Sequence, residues 1–373
     1  MIHAFTSAGP NYLGKVRTLC ESIRHHCPDF AVHWLVPDRV DDELRGGLGS
    51  EPFDDIVFAT ELEDFWNPSW LFGHSLVELS TAVKPAMARA LLEREDCETV
   101  LYFDPDLVLF SALDDLLDEL SRATLVLTPH LLTPEDEPEA ILDNEVCTLR
   151  HGVFNLGFFG VTDCAESARF LTWWHERMLL YCHEELDSGS FTDQKWVNLA
   201  PIFFAGVTVL RSPRFNVAPW NATQRTLTGS FDEGFLVDGE ELGFYHFTGF
   251  DSGAHQQVAR KWLPDSDTVA MLLAWYGART RALAPPHPIP WKLGSYGNGV
   301  PIEAEHRRVY RQREDLRRRY PNPYRVVAGE PSFLAWLEEW EGEHARVAAV
   351  DGPAHGGDAQ QEAGRAGGRR ERP

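Results

Sequence analysis

The segment Thr99-Val100-Leu101-Tyr102-Phe103 is a continuous apolar run that stops abruptly at Asp104-Pro105-Asp106. A strand without polar alternation has to be covered on both faces, as the inner strands of a parallel sheet are when helices pack on each side. In open sheets of that kind ligands sit at the carboxyl ends of the strands, which is where these two carboxylates fall. Side chains at i and i+2, around a turn stiffened by Pro105, can converge on one hard cation. Oxygen ligands suit Mg²⁺ or Mn²⁺ and leave positions for substrate phosphates. A bare Asp-x-Asp also describes a solvated turn with Asp104 as its cap, so the rest of the chain has to decide.

The first half alternates strand and helix. Short apolar stretches at Ile2–Ser7, Ala31–Val36, Asp54–Ala59, Leu125–Thr128 and Phe154–Val161 read as strands, and Leu13–His26 and Thr81–Leu92 as helices, with Pro85 tolerated in a first turn. The expectation is an α/β chain with a mostly parallel central sheet flanked by helices. Beyond about Ala165 the pattern turns helical, at Arg169–Cys182, Ser266–Leu283 and Glu303–Tyr320, with short strands near Val207–Leu210 and Leu242–Phe247. Residues 350–373 are Gly-rich with almost nothing apolar, the composition of a disordered tail.

Composition narrows the partners. The chain of 373 residues carries 34 Lys+Arg against 57 Asp+Glu, a formal charge of -23. A protein this acidic lacks the basic face that nucleic acid requires, but it can hold a phosphorylated ligand where a divalent cation neutralises it. No stretch approaches a membrane span, and the N-terminus lacks the pattern of a signal peptide. The six cysteines have no paired spacing and read as reduced thiols. A cytoplasmic protein is the expectation.

Seven blocks then occur in an order that resembles the nucleotide-sugar-dependent glycosyltransferases of the GT-A (Rossmann-like) fold. They are TSAGPNYL (Thr6–Leu13), TAVKPAMARALL (Thr81–Leu92), LYFDPDLVLF (Leu101–Phe110), FNLGFFGV (Phe154–Val161), TDQKWVN (Thr192–Asn198), FNVAPWN (Phe215–Asn221) and YHFTG (Tyr245–Gly249). The likeness is nearest to the glycogenin and lipopolysaccharide galactosyltransferase group and to bacterial relatives with a Tyr-x-Asp-Pro-Asp strand end. It implies a catalytic domain over residues 1–255, a helical C-terminal extension over 256–349 and a tail over 350–373. The activity implied is metal-dependent sugar transfer, as by a hexosyltransferase, from a nucleotide diphosphate sugar (UDP-sugar favoured) to a carbohydrate or other hydroxyl-bearing acceptor.

Carried over residue by residue, the resemblance assigns Mn²⁺ or Mg²⁺ to Asp104, Asp106 and His246, and the nucleotide and diphosphate to Thr6, Ser7, Tyr12 and Lys84 together with Asp104 and Asp106. It places Asn155, Asp193 and Gln194 around the transferred sugar as catalytic residues. Each has a plainer reading: Tyr12 as helix packing, Asp193 as a helix N-cap, His246 as a hydrogen-bonded core histidine. A retaining enzyme would set Asp193 or Gln194 at the anomeric carbon, whereas an inverting one would need a base such as an Asp, a Glu or His130.

The chain also departs from the group. The galactosyltransferases continue from the histidine and glycine to a Lys-Pro-Trp that grips the diphosphate, whereas this chain has Phe250-Asp251-Ser252-Gly253, leaving Arg260, Lys261 or Lys292 as substitutes. Trp220 is a candidate sugar platform and Arg225 a candidate anion contact. The stretch Glu303–Arg325 has eight Arg against four acids, which reads as a solvated face or as a peripheral membrane contact. Two rivals share parts of this pattern: a sugar-nucleotide nucleotidyltransferase, disfavoured by the short non-basic loop Ser7–Asn11, and a non-catalytic nucleotide- or carbohydrate-binding protein.

Overall fold

The computed structural model describes residues 1–62, 67–186 and 189–350, with side chains as far as residue 342. The expected disordered tail lies, from residue 351 on, outside the described residues. A seven-stranded sheet forms the centre, built from β1 (Ile2–Ser7), β2 (Ala31–Val36), β3 (Asp55–Phe58), β4 (Thr99–Phe103), β6 (Leu125–Pro129), β7 (Phe154–Thr162) and β8 (Val207–Val209). Its order is β3-β2-β1-β4-β7-β6-β8. Strand β7 pairs antiparallel with both β4 and β6, and the other pairings are parallel. The chain is therefore mixed α/β with a mostly parallel sheet.

Period-two alternation along β4 divides its side chains between two cores. Val100 and Tyr102 join Phe5, Phe159 and Val161 under the helices Lys84–Leu92 and Ala165–Tyr181, which contribute Met87, Leu91, Phe170 and Trp174. Leu101 and Phe103 face Ala4 and Phe158 on the other side, beneath Leu13, Val16, Leu19 and Ile23 of the helix Leu13–His26. All five residues of β4 except Thr99 are buried. The unbroken apolar run is thus the record of two covered faces.

A two-stranded ribbon turns the chain back onto the sheet's end. Strand β5 (Leu107–Leu109) follows the acidic turn and pairs antiparallel with β12 (Phe244–His246), in register His246↔Leu107. That register sets a histidine beside an aspartate from 140 positions earlier. A meander of β9 (Leu227–Ser230), β10 (Gly234–Val237) and β11 (Glu240–Glu241) extends this side and packs on the helix Asp267–Ala282.

Two helices are more broken than the sequence predicts. Thr81–Leu92 is the end of one helix (Leu76–Ala82) and a second starting at Lys84, because Pro85 has no N–H to continue the first. Glu303–Tyr320 is two helices, Ala304–Gln312 and Glu314–Arg319, separated at Arg313 in extended conformation. Most arginines of this stretch have partners within the chain. Arg307 is buried and donates to the carbonyls of Phe72, His74 and Leu293. Arg308, Arg311, Arg313, Arg318 and Arg325 are ion-paired with Glu305, Glu185, Asp315, Glu314 and Glu330. All six cysteines are free thiols, and among the described residues no helix is long and apolar enough to cross a membrane.

Candidate metal centre and cleft

The turn Asp104-Pro105-Asp106 is held from both sides. Asp104 N–H donates to Gly157 of β7 at 2.7 Å, and Phe247 N–H donates to the Asp106 carbonyl at 2.8 Å. One backbone therefore fixes two carboxylates against β7 and β12 together. His246 Nε2 lies 3.0 Å from Asp106 Oδ1 and 3.8 Å from Asp104 Oδ2. Donor atoms of the three residues all fall within 4.8 Å of one another.

His246 is oriented from behind. Its Nδ1 lies 3.2 Å from Asn155 Oδ1, which also accepts from Gly157 N–H at 3.2 Å. An acceptor at Nδ1 places the proton there and leaves Nε2 facing the carboxylates, the tautomer a metal ligand needs. Gly157 makes the approach possible, since a Cβ on it would stand 2.5 Å from His246 Cε1 and 2.7 Å from Asn155 Oδ1. Two hard carboxylates, one pre-oriented imidazole and a strand glycine that lets the ring close fit Mn²⁺ or Mg²⁺. Without the ion, burial alone would push His246 down, but Asp106 and Asp104 hold it above its ordinary value.

Lys84 provides a second charged group. It is 2% exposed at the start of its helix, with Nζ 2.9 Å from both the Leu156 carbonyl and Asp193 Oδ2 and 3.6 Å from Asp104 Oδ1. It also sits 4.3 Å above the Tyr102 ring, whose hydroxyl donates to Asp104 Oδ1. Burial opposes both charges of the pair: it pushes Asp193 up, while Asp104 and Asp193 hold the Lys84 ammonium above its ordinary value against the same burial. Asp193 makes no side-chain cap bond although it stands at the N-cap position of the helix Gln194–Val197. Thr192 before it lies in the left-handed region at φ 44. A β-branched residue held there costs about 1–3 kcal/mol, and its hydroxyl donates to Asp193 Oδ1 at 3.2 Å.

Lys84, Asp104, Asn155, Asp193, Gln194 and His246 line one cleft of about 760 Å³. Asp106 adjoins it through His246. Thr6 and Ser7 lie at the same end of the sheet but are buried and do not line the cleft, and their hydroxyls have no protein partner. Tyr12 is half-buried against the core and outside the cleft lining. The Gln194 carboxamide is engaged by backbone, accepting from Leu156 N–H and donating to the His151 carbonyl, both at 3.2 Å. It braces β7, a role its position in the sequence did not suggest.

Trp220 lines the cleft and meets both His246 and His130 edge-on, with ring centroids 5.3 and 5.0 Å apart. Trp262 also lines it. Arg225 does not line the cleft: it is buried, with Nη1 donating to the carbonyls of Pro213 and Phe215. Lys261 is ion-paired with Asp143 and Glu139, and Lys292 with Asp41. The sequence reading missed the wall formed by Asn144, Cys147, Thr148 and His151, which lies on helical turns with no motif of its own. It also passed over Gly157, although a glycine inside a strand signals close approach.

No family model matches the chain. Among curated proteins it is 28% identical over 283 residues to the uncharacterized protein YfnD of Bacillus subtilis (strain 168), covering 74% of this chain and 87% of that protein. It is 27% identical over 175 residues to YfnF of the same organism, covering 46% and 57%. Among solved structures it is similar to the galactosyltransferase LgtC, described in complex with donor and acceptor sugar analogs, at 18% identity over 78% of this chain and 98% of that one, with a TM-score of 0.44. It is also similar to the glycosyltransferase GlyE of Streptococcus pneumoniae TIGR4, at 16% identity over 79% and 66% with a TM-score of 0.43. Mouse xyloside xylosyltransferase 1 follows at 13% identity over 66% and 97%, with a TM-score of 0.41.

Proposed function

We propose that this chain is a metal-dependent glycosyltransferase that moves a sugar from a nucleotide diphosphate sugar, with UDP the favoured nucleotide, to a hydroxyl of a carbohydrate or other acceptor. One observation carries the reading: two carboxylates and an imidazole with donor atoms within 4.8 Å of one another adjoin the cleft that also holds the Lys84–Asp193 pair. Asp104, Asp106 and His246 would hold the cation, which when bound would supply Lewis-acid stabilisation of a departing nucleoside diphosphate. Lys84 keeps a fixed positive charge on the cleft floor without drawing on solvent, since its partners are already in place. Asp193 presents a desolvated carboxylate on the donor side, positioned by Lys84 and Thr192.

Trp220 gives an aromatic wall on which the apolar face of a sugar ring packs. His130 beside it is lowered to about 4, by burial first. So weak a base does not deprotonate a hydroxyl effectively near neutral pH. Its role is to hydrogen-bond an acceptor as a neutral ring.

The test is release of nucleoside diphosphate from UDP-, GDP- and dTDP-sugars with Mn²⁺ or Mg²⁺, with and without an acceptor panel. The reading requires turnover that EDTA abolishes and that Asp104→Asn and Asp106→Asn each lower by roughly 100-fold or more. Turnover indifferent to EDTA and to both substitutions refutes it. Donor binding without any turnover would favour a non-catalytic binding protein.

A further inference from the structure

A diphosphate brought to this acidic chain needs positive charge beyond the cation, and the charges near the cleft are mostly committed. Lys84 is closed in by Asp193 and the Leu156 carbonyl and Arg225 by backbone carbonyls, and Lys261 is shared between two carboxylates, Asp143 and Glu139. Lys15 is placed differently. It is the third residue of the helix Leu13–His26 and its Nζ lies 2.6 Å from Asp251 Oδ2 and 4.4 Å from the centre of the Tyr12 ring. The lysine side chain is 11% exposed, whereas its partner carboxylate is 56% exposed.

The helix that carries Lys15 cannot drift, because Gly14 packs so closely that a Cβ would collide with the Thr280 carbonyl. Asp251 is five residues beyond His246, just past Thr248 and Gly249, which line the cleft. The helix Leu13–His26 starts directly after β1, which pairs parallel with β4, so Lys15 stands at the same carboxyl edge of the sheet as Asp104 and Asp106.

We infer that Lys15 is the residue that grips the donor's diphosphate, and that it does so by exchanging its ion pair with Asp251 for the phosphate oxygens. An exposed carboxylate holds an ammonium weakly, whereas phosphate oxygens at a desolvated site accept strong charge-assisted hydrogen bonds. Asp251 thus parks the lysine between turnovers, with its ammonium over the Tyr12 ring. The inference rests on the donor being a nucleotide diphosphate sugar, as proposed above.

The experiment is calorimetric titration of the full chain with UDP, GDP and dTDP in Mg²⁺, carrying forward the one that wild type binds tightest. Lys15→Met should weaken that binding at least ~10-fold and Lys15→Arg by no more than ~3-fold, because one charge-assisted contact is removed or kept. Asp251→Asn should strengthen it about 3-fold by releasing the lysine, and the double variant should match Lys15→Met. A packing defect would weaken both single variants, so the opposite signs separate gripping from folding. Unchanged binding in Lys15→Met, with wild type binding well, overturns the role of Lys15. Unchanged or weaker binding in Asp251→Asn overturns the exchange. Wild type binding none of the three overturns the donor class beneath it as well.

Discussion

Replacing Gly157 by alanine tests the metal centre from behind, without touching a ligand. The added Cβ would stand 2.5 Å from His246 Cε1 and 2.7 Å from Asn155 Oδ1. Ordinary carbon contacts lie near 3.5 Å, so the imidazole has to retreat by roughly 1 Å. Metal–ligand distances tolerate only about 0.2 Å, so the retreat removes His246 from the ligand set or drags the cation off the carboxylates. Disturbing such an orienting contact lowers metal affinity by about 10–100-fold. Overpacking the strand adds about 1–3 kcal/mol of destabilisation. Gly160 of the same strand is the control, because a Cβ there meets Leu120 Cδ2 at 2.9 Å and Leu101 Cδ2 at 3.0 Å, the ends of rotatable side chains far from the site. Mn²⁺ affinity by titration and stability by urea unfolding are the readouts. If Gly157→Ala binds Mn²⁺ as tightly as Gly160→Ala and wild type, the geometry assigned to His246 is wrong.

Lys84→Met should destabilise the fold by about 3–5 kcal/mol in urea unfolding, because it strands two carboxylates around a buried site, and adding Asp193→Leu should recover part of that loss. A change below about 1 kcal/mol would show the pair to be solvated. The buried histidines predict acid sensitivity. His33, His130 and His255 are each lowered to about 4, in each case chiefly by burial. A folded-state value below the unfolded one means that the unfolded chain binds more protons, so stability is full above about pH 6.5 and is lost as pH falls toward 4. Each contributes a loss of roughly 2 kcal/mol between pH 7 and pH 5, so a urea midpoint flat over that range would contradict the burial of these rings. The Leu→Ala change at Leu101, buried completely beneath the second core, should lower stability by about 2–5 kcal/mol while leaving Mn²⁺ affinity within about 2-fold.

Strand β4 was readable because its chemistry is local: five residues with no polar break need two covered faces, and the carboxylates that end the run mark the sheet's functional edge. The helix Leu13–His26 was equally plain from the spacing of Leu13, Val16, Leu19 and Ile23. The pairing of Lys84 with Asp193 was not, since it joins residues 109 positions apart and neither motif predicts the other. Ordered blocks brought Asp104, Asn155, Asp193 and His246 to attention together, yet they could not say that Gln194 braces backbone or that Arg225 turns inward. The break at Arg313 and the meander β9–β11 were illegible for another reason: the elements on either side are short, and the meander is decided by packing against the helix Asp267–Ala282 more than by any periodicity. The overall charge of -23 argued against nucleic acid from the start, but its bearing on a phosphorylated ligand became clear only once the site was located.

The central claim is that Asp104, Asp106 and His246 together hold one divalent cation. Titration of Mn²⁺ monitored by electron paramagnetic resonance, at neutral pH with a nucleoside diphosphate present, tests it most directly. The account predicts one bound Mn²⁺ per chain in wild type and loss of that site in both Asp106→Asn and His246→Ala. An unchanged stoichiometry and affinity in those two variants would contradict it.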